Sequence, residues 1–116
     1  VLQETGDNSE NVIVGAAWNI ASSSPLSVAM TEAFEEAYDA SPDQFVAQAY
    51  TGAWLYATAI RCANAADRTA LRDALLAIED FDSPLGSFSF SEDRNPIHDP
   101  VVQLVREGAF TILGAE

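Results

Sequence analysis

His98 is the single histidine of the chain, set in Ile97-His98-Asp99, and it is the first candidate for acid–base chemistry because imidazole both gives and takes a proton near neutral pH. Serines are plentiful, so the letters of a Ser–His–Asp arrangement are present. No Gly-x-Ser-x-Gly elbow or other spacing sets a serine against His98, and it reads as a solvated loop residue. Cys62 is the only cysteine, which precludes an internal disulfide, and its helical, apolar surroundings Ala59-Ile-Arg-Cys-Ala63 predict a buried structural thiol rather than a nucleophile. Asp80-Phe-Asp82-Ser-Pro-Leu-Gly86 begins like a calcium loop. The glycine comes one position late, Pro84 is incompatible with the loop, and the closing position holds Ser91 in place of glutamate. Glu35-Glu36 reads as a solvated helix face. Neither Cys/His ligand spacing nor a phosphate-cradling glycine loop occurs. No catalysis, cofactor or metal is therefore expected.

What remains is aromatic: Trp18, Phe45, Tyr50, Trp54 and Tyr56 offer apolar contact area, with a polar tip on all but Phe45. Tyr50, Trp54 and Tyr56 fall inside one helical pattern and read as core. Trp18 and Phe45 differ. One follows a buried strand and the other stands in the first turn of a helix, the two places where α/β proteins set their ligands.

The elements that must position these residues follow from local pattern. Residues 1–10 read as a flexible polar lead-in. Asn11 to Trp18 is a short, β-branched run of the buried-strand type. Ser24-Pro25 predicts a helix start, serine as cap and proline at the first helical position, followed by Met30, Ala33, Phe34, Ala37 and Tyr38 at helical spacing. Ser41-Pro-Asp-Gln44 predicts a second start, with Ser41 as cap and Gln44 closing a capping box, for a helix over about Pro42 to Ala65 that is buried on most of its surface. Asp67 caps a third helix carrying Leu71, Ala74, Leu75 and Ile78. Asp80 to Gly86 reads as a connector, Phe88 and Phe90 as a short strand, and 91–100 as a polar loop. Val101–Val105 and Ala109–Leu113 form a hairpin about Arg106-Glu-Gly108. The order is strand, three helices, then short strands, and the first strand has no sequential partner.

Composition narrows the partners. The chain has 116 residues, enough for one small domain, and is 48% hydrophobic, enough for a core. It carries 18 acidic residues against 5 basic ones, all arginine, for a formal charge of −13. Such a field repels nucleic acid and anionic lipid. It also fits adaptation to high salt, where self-repulsion is screened and a dense acidic surface stays hydrated.

In order and spacing, Val12-Ile-Val-Gly-Ala-Ala-Trp18, Glu32-Ala-Phe-Glu-Glu-Ala-Tyr38, Ser41-Pro-Asp-Gln-Phe-Val-Ala-Gln-Ala-Tyr50, Arg68-Thr-Ala-Leu-Arg-Asp-Ala-Leu-Leu-Ala-Ile78, Gly86-Ser-Phe-Ser-Phe-Ser-Glu92 and the Val101–Phe110 hairpin resemble the C-terminal third of the type I periplasmic binding proteins of the leucine/isoleucine/valine type. Those are the solute-binding receptors of ABC importers: two α/β lobes joined by a hinge, with ligand bound between them. The resemblance implies an α/β fold that is part of a two-lobed whole. Residues 11–18 would be a second-lobe strand leading to a hinge crossing, 19–85 a helical segment packed on the first lobe, and 86–116 the return crossing, near Gly86, and the terminal strands. It implies a small-molecule ligand such as an amino acid, ABC permease subunits as partners, and an extracytoplasmic location, although no signal or anchor is visible in the chain. Phe45 matches the family's aromatic contact to the ligand side chain. Trp18 and Asn19, at the crossing, and Gln48, one turn after Phe45, are the further cleft candidates. The family's clamp for the ligand's amino and carboxylate groups lies in sequence that has no counterpart here. The same fold also serves ligand-sensing regulatory domains. A segment of this kind standing alone would expose strand edges and helix faces that favour homo-oligomers.

Overall fold

The computed structural model describes residues 2–63 and 67–113. After a short helix α1 (Leu2–Thr5) and a 3-10 turn (Gly6–Ser9) come strand β1 (Ile13–Ala16), helices α2 (Pro25–Tyr38), α3 (Gln44–Ala63) and α4 (Arg68–Leu76), and strands β2 (Phe81–Ser83), β3 (Gly86–Phe90), β4 (Pro96–Ile97), β5 (Val101–Arg106) and β6 (Ala109–Ile112). The segment read as a loose lead-in is thus helical over 2–9. Its end is tied down: the Ser9 hydroxyl donates to the Gly6 carbonyl at 2.8 Å, and the amide of Asn11 donates to the Val105 carbonyl at 3.0 Å.

The strands form two antiparallel three-stranded sheets, ordered β1-β5-β6 and β2-β3-β4. In the first, Ile13 faces Leu104 and Ala16 faces Val101, so the first strand finds its partner across the whole helical segment. The β5–β6 hairpin turns on Glu107 and Gly108, both at positive φ (51° and 75°), as a two-residue type I′ turn requires. The chain passes from the second sheet to the first between Ile97 and Val101, and Gly86 lies in the tight β2–β3 hairpin. β2 falls within the stretch read as a connector and β4 within the polar loop; both are too short to show a period of their own.

Two helix starts form as their sequences predict. Ser24 accepts from the Ser27 amide ahead of Pro25, and Asp67 accepts from the amides of Thr69 and Ala70. The third differs. Asp43 caps α3, its carboxylate accepting from the amides of Phe45 (2.9 Å) and Val46 (3.0 Å), while the Ser41 hydroxyl donates to Glu35 instead. Pro42 is buried outside the helix, and Gln44 is the first helical residue. Asp43→Ala is therefore expected to lower stability by about 1 kcal/mol and Ser41→Ala by much less; urea unfolding of both variants checks the assignment.

The core joins Trp18, Met30, Ala47, Leu55, Ile78, Leu85 and Phe88. Helix α3 buries only the stripe Ala47, Thr51, Leu55 and Ala59. Tyr50, Trp54 and Tyr56, read as core, are 40%, 50% and 58% exposed, and Cys62, read as buried, is exposed. β1 alternates exposed and half-buried residues and is not the enclosed strand its composition predicts. The exposure of Tyr50, Trp54 and β1 has one cause. A helix or strand that is apolar on all sides needs neighbours on all sides, and this chain supplies them on one. The radius of gyration, 16.5 Å, exceeds the about 13 Å of a compact chain of this length for the same reason.

Candidate functional site

The exit of β1 is where the two halves of the chain meet. The Ala17 amide donates to Gln44 Oε1 at 3.2 Å, which sets the N-terminus of α3 against the end of the strand. The Trp18 carbonyl accepts from Gln103 Nε2 at 3.0 Å, and Asn19 Nδ2 donates to the Phe110 carbonyl at 3.4 Å, so β5 and β6 hold the next two residues. Asn19 Oδ1 also accepts from the Ala21 amide at 2.8 Å, turning the chain away from the strand. On the helical side the Trp18 indole donates to Ser27 Oγ at 2.7 Å, and Ser27 is fully buried. One short segment, 17–19, is thereby bonded to α2, α3, β5 and β6.

The four candidate residues are brought to this junction but not to one surface. Trp18 and Asn19 are both 3% exposed, with their polar groups engaged within the chain. Phe45 is 68% exposed, next along the chain from the glutamine that holds Ala17, and Gln48 is exposed one turn further along α3 on the same side. The surface at the junction is thus an aromatic ring and an amide at a helix start, beside the hydrogen-bonded segment 17–19. Two cavities, about 430 and 270 Å³, are lined by other residues.

Sequence reading overlooked Gln44 as a tertiary link, because its spacing from Ser41 imitates a capping box. It overlooked Gln103 as well, although a signal existed. Val101, Gln103 and Val105 occupy the inward positions of β5, and a polar side chain at an inward position must find a partner. His98 stacks on Phe88, with centroids 6.0 Å apart, and its Nδ1 lies 3.3 Å from the Asp99 carbonyl. Among the described residues no hydrogen bond joins it to a serine or a carboxylate.

A family model described as periplasmic binding protein matches residues 1–109. The chain belongs to that family. Its fold is that of the leucine/isoleucine/valine-type members, as the resemblance implied. A leucine-binding protein from Thermotoga maritima superposes with a TM-score of 0.86 at 21% identity, over 96% of this chain and 32% of that one. A putative branched-chain amino acid ABC transporter protein from Rhodospirillum rubrum gives 0.77 at 29% identity, over 97% and 33%. A solute-binding protein from Rhodopseudomonas palustris, solved with benzoate, gives 0.83 at 25% identity, over 98% and 32%. No curated protein matches the chain. The chain spans about a third of the length of the solved structures it matches. The two small sheets and three long helices of this member are thus a portion of the periplasmic binding protein fold.

Proposed function

We propose that this chain is the C-terminal part of the substrate-binding component of an ABC importer, a receptor that takes a branched-chain or related amino acid between two lobes outside the cytoplasm and delivers it to permease subunits. The observation that carries this reading is the family match over 1–109 together with a fold shared at a TM-score of 0.86 with a leucine-binding protein. The one-sided burial of α3 supports the remainder of a receptor as its cover. Binding is reversible and coupled to lobe closure, with no bond made or broken. The 17–19 segment is the crossing, held rigidly by its hydrogen bonds to both sides. Phe45, exposed beside it, gives the apolar contact to the ligand side chain. Gln48 offers an amide on the same side. Trp18 and Asn19 serve the cleft from behind, as the residues that hold its wall.

Thermal unfolding of the whole polypeptide carrying this chain, against a panel of amino acids and small carboxylates, tests the reading. A ligand at about 100 times its Kd adds roughly 2.7 kcal/mol of stability. A selective rise with leucine, isoleucine or valine supports the receptor and its class, and the absence of any shift across the panel overturns it.

The charge of −13 is part of the same proposal, as adaptation to a saline exterior. The Debye length shrinks from about 30 Å at 0.01 M salt to about 3 Å at 1 M. The unfolding temperature is therefore expected to rise steadily over that range as carboxylate repulsion is screened. A flat salt profile removes the halophilic reading and leaves the receptor untouched.

A further inference from the structure

The larger cavity, about 430 Å³, lies between α4, the C-terminal half of α3 and the segment after β3, and is lined by Tyr56, Leu71, Leu75 and Phe90 together with three arginines, Arg68, Arg72 and Arg94. The chain has only 5 basic residues against 18 acidic ones. Three of the basic ones, all exposed, line this one apolar hollow, each with an aspartate beside it in sequence (Asp67, Asp73 and Asp93). Arg72 is paired with Asp73 at 2.6 Å. Arg68 and Arg94 make no ion pair or side-chain hydrogen bond among the described residues. The root of Arg94 is fixed: it sits at φ 65° in a turn closed by its amide to the Ser91 carbonyl (2.8 Å) and by the Ser91 amide to the Asn95 carbonyl (2.9 Å). Arg68 is fixed likewise as the first residue of α4, behind the Asp67 cap. Among the described residues no acidic side chain lines the hollow, and none of Trp18, Asn19, Phe45 or Gln48 does.

We infer that this cavity is a second binding site, for a small amphiphilic anion: a carboxylate held by Arg68 and Arg94, with an acyl or aryl body on Leu71, Leu75 and Phe90. Guanidinium forks match a carboxylate geometrically, and the apolar floor excludes water from one side of the contact. The site uses residues outside the proposed ligand cleft, and its test is independent of which amino acid the receptor takes.

Octanoate is the probe, titrated calorimetrically into the whole polypeptide at about 0.1 M salt, with octylammonium as the cation of the same body. Saturable one-to-one binding of octanoate but not of octylammonium is expected. Arg68→Gln and Arg94→Gln should each weaken it by about tenfold. In the unmodified protein, intermolecular NOEs from the octanoate methylenes should reach Phe90 and Leu75, a readout that depends on no variant. Absence of saturable octanoate binding, equal binding of octylammonium, unchanged affinity in the Arg68→Gln/Arg94→Gln protein, or NOEs to other residues each overturns the site.

Discussion

Replacing Trp18 with alanine is expected to lower stability by about 3–5 kcal/mol, the range for emptying a buried indole position. Trp18 is 3% exposed and packs in the same cluster as Met30 of α2, Ala47 of α3 and Phe88 of β3, so its loss opens a cavity where the strand exit meets these elements. The loss also strips the donor from Ser27 Oγ. Trp18→Phe separates the two effects: it keeps most of the ring volume but leaves a fully buried hydroxyl without that donor, at a cost of about 1–3 kcal/mol. Adding Ser27→Ala to Trp18→Phe should then recover part of the loss, because the orphaned group is gone. Denaturant unfolding of the three proteins and a double-mutant cycle read this directly. A loss below about 1 kcal/mol for Trp18→Ala would show that the indole is not part of the core.

Phe45→Ala is expected to act on the opposite quantity. Its ring is 68% exposed, so fold stability should stay within about 0.5 kcal/mol of the parent. Ligand affinity of the whole polypeptide should fall by about 1–3 kcal/mol, roughly five- to 150-fold, as the apolar contact to the ligand side chain is removed. Isothermal titration with the amino acid that gives the largest thermal shift measures it. Equal affinity in the variant would remove Phe45 from the site while leaving the receptor reading intact. The contrast between the two aromatics is informative in itself. Trp18 should change stability and Phe45 should change affinity, although both stand at the same junction.

Much of the architecture was legible because it is local. Ser24-Pro25 and Asp67 announce helix starts by chemistry confined to three or four residues, and Glu107-Gly108 announces a turn by the need for two left-handed backbones in succession. The cap of α3 was misread for an equally local reason. Ser41 and Asp43 are both good caps, two residues apart, and packing chose between them: Pro42 is buried before the helix, and Gln44 reaches the Ala17 amide instead of folding back. The short strands β2 and β4 were illegible because their hydrogen-bond partners, not their own residues, define them.

For the candidate site, sequence placed Trp18, Asn19, Phe45 and Gln48 at a strand exit and a helix start. It could not say which of them would face outward. By itself, the sequence determined two of the three helix starts, the hairpin turn, the acidic field and the family likeness, because each depends on neighbouring residues, on total composition or on order along the chain. Only the tertiary structure decided that Trp18 turns inward onto Ser27 while Phe45 stays open, that Gln103 crosses to the Trp18 carbonyl, and that Arg68, Arg72 and Arg94 line one hollow. Periodicity tells which side chains share a face. Which face finds a partner depends on segments far away in sequence, and that information appears only when the chain is packed.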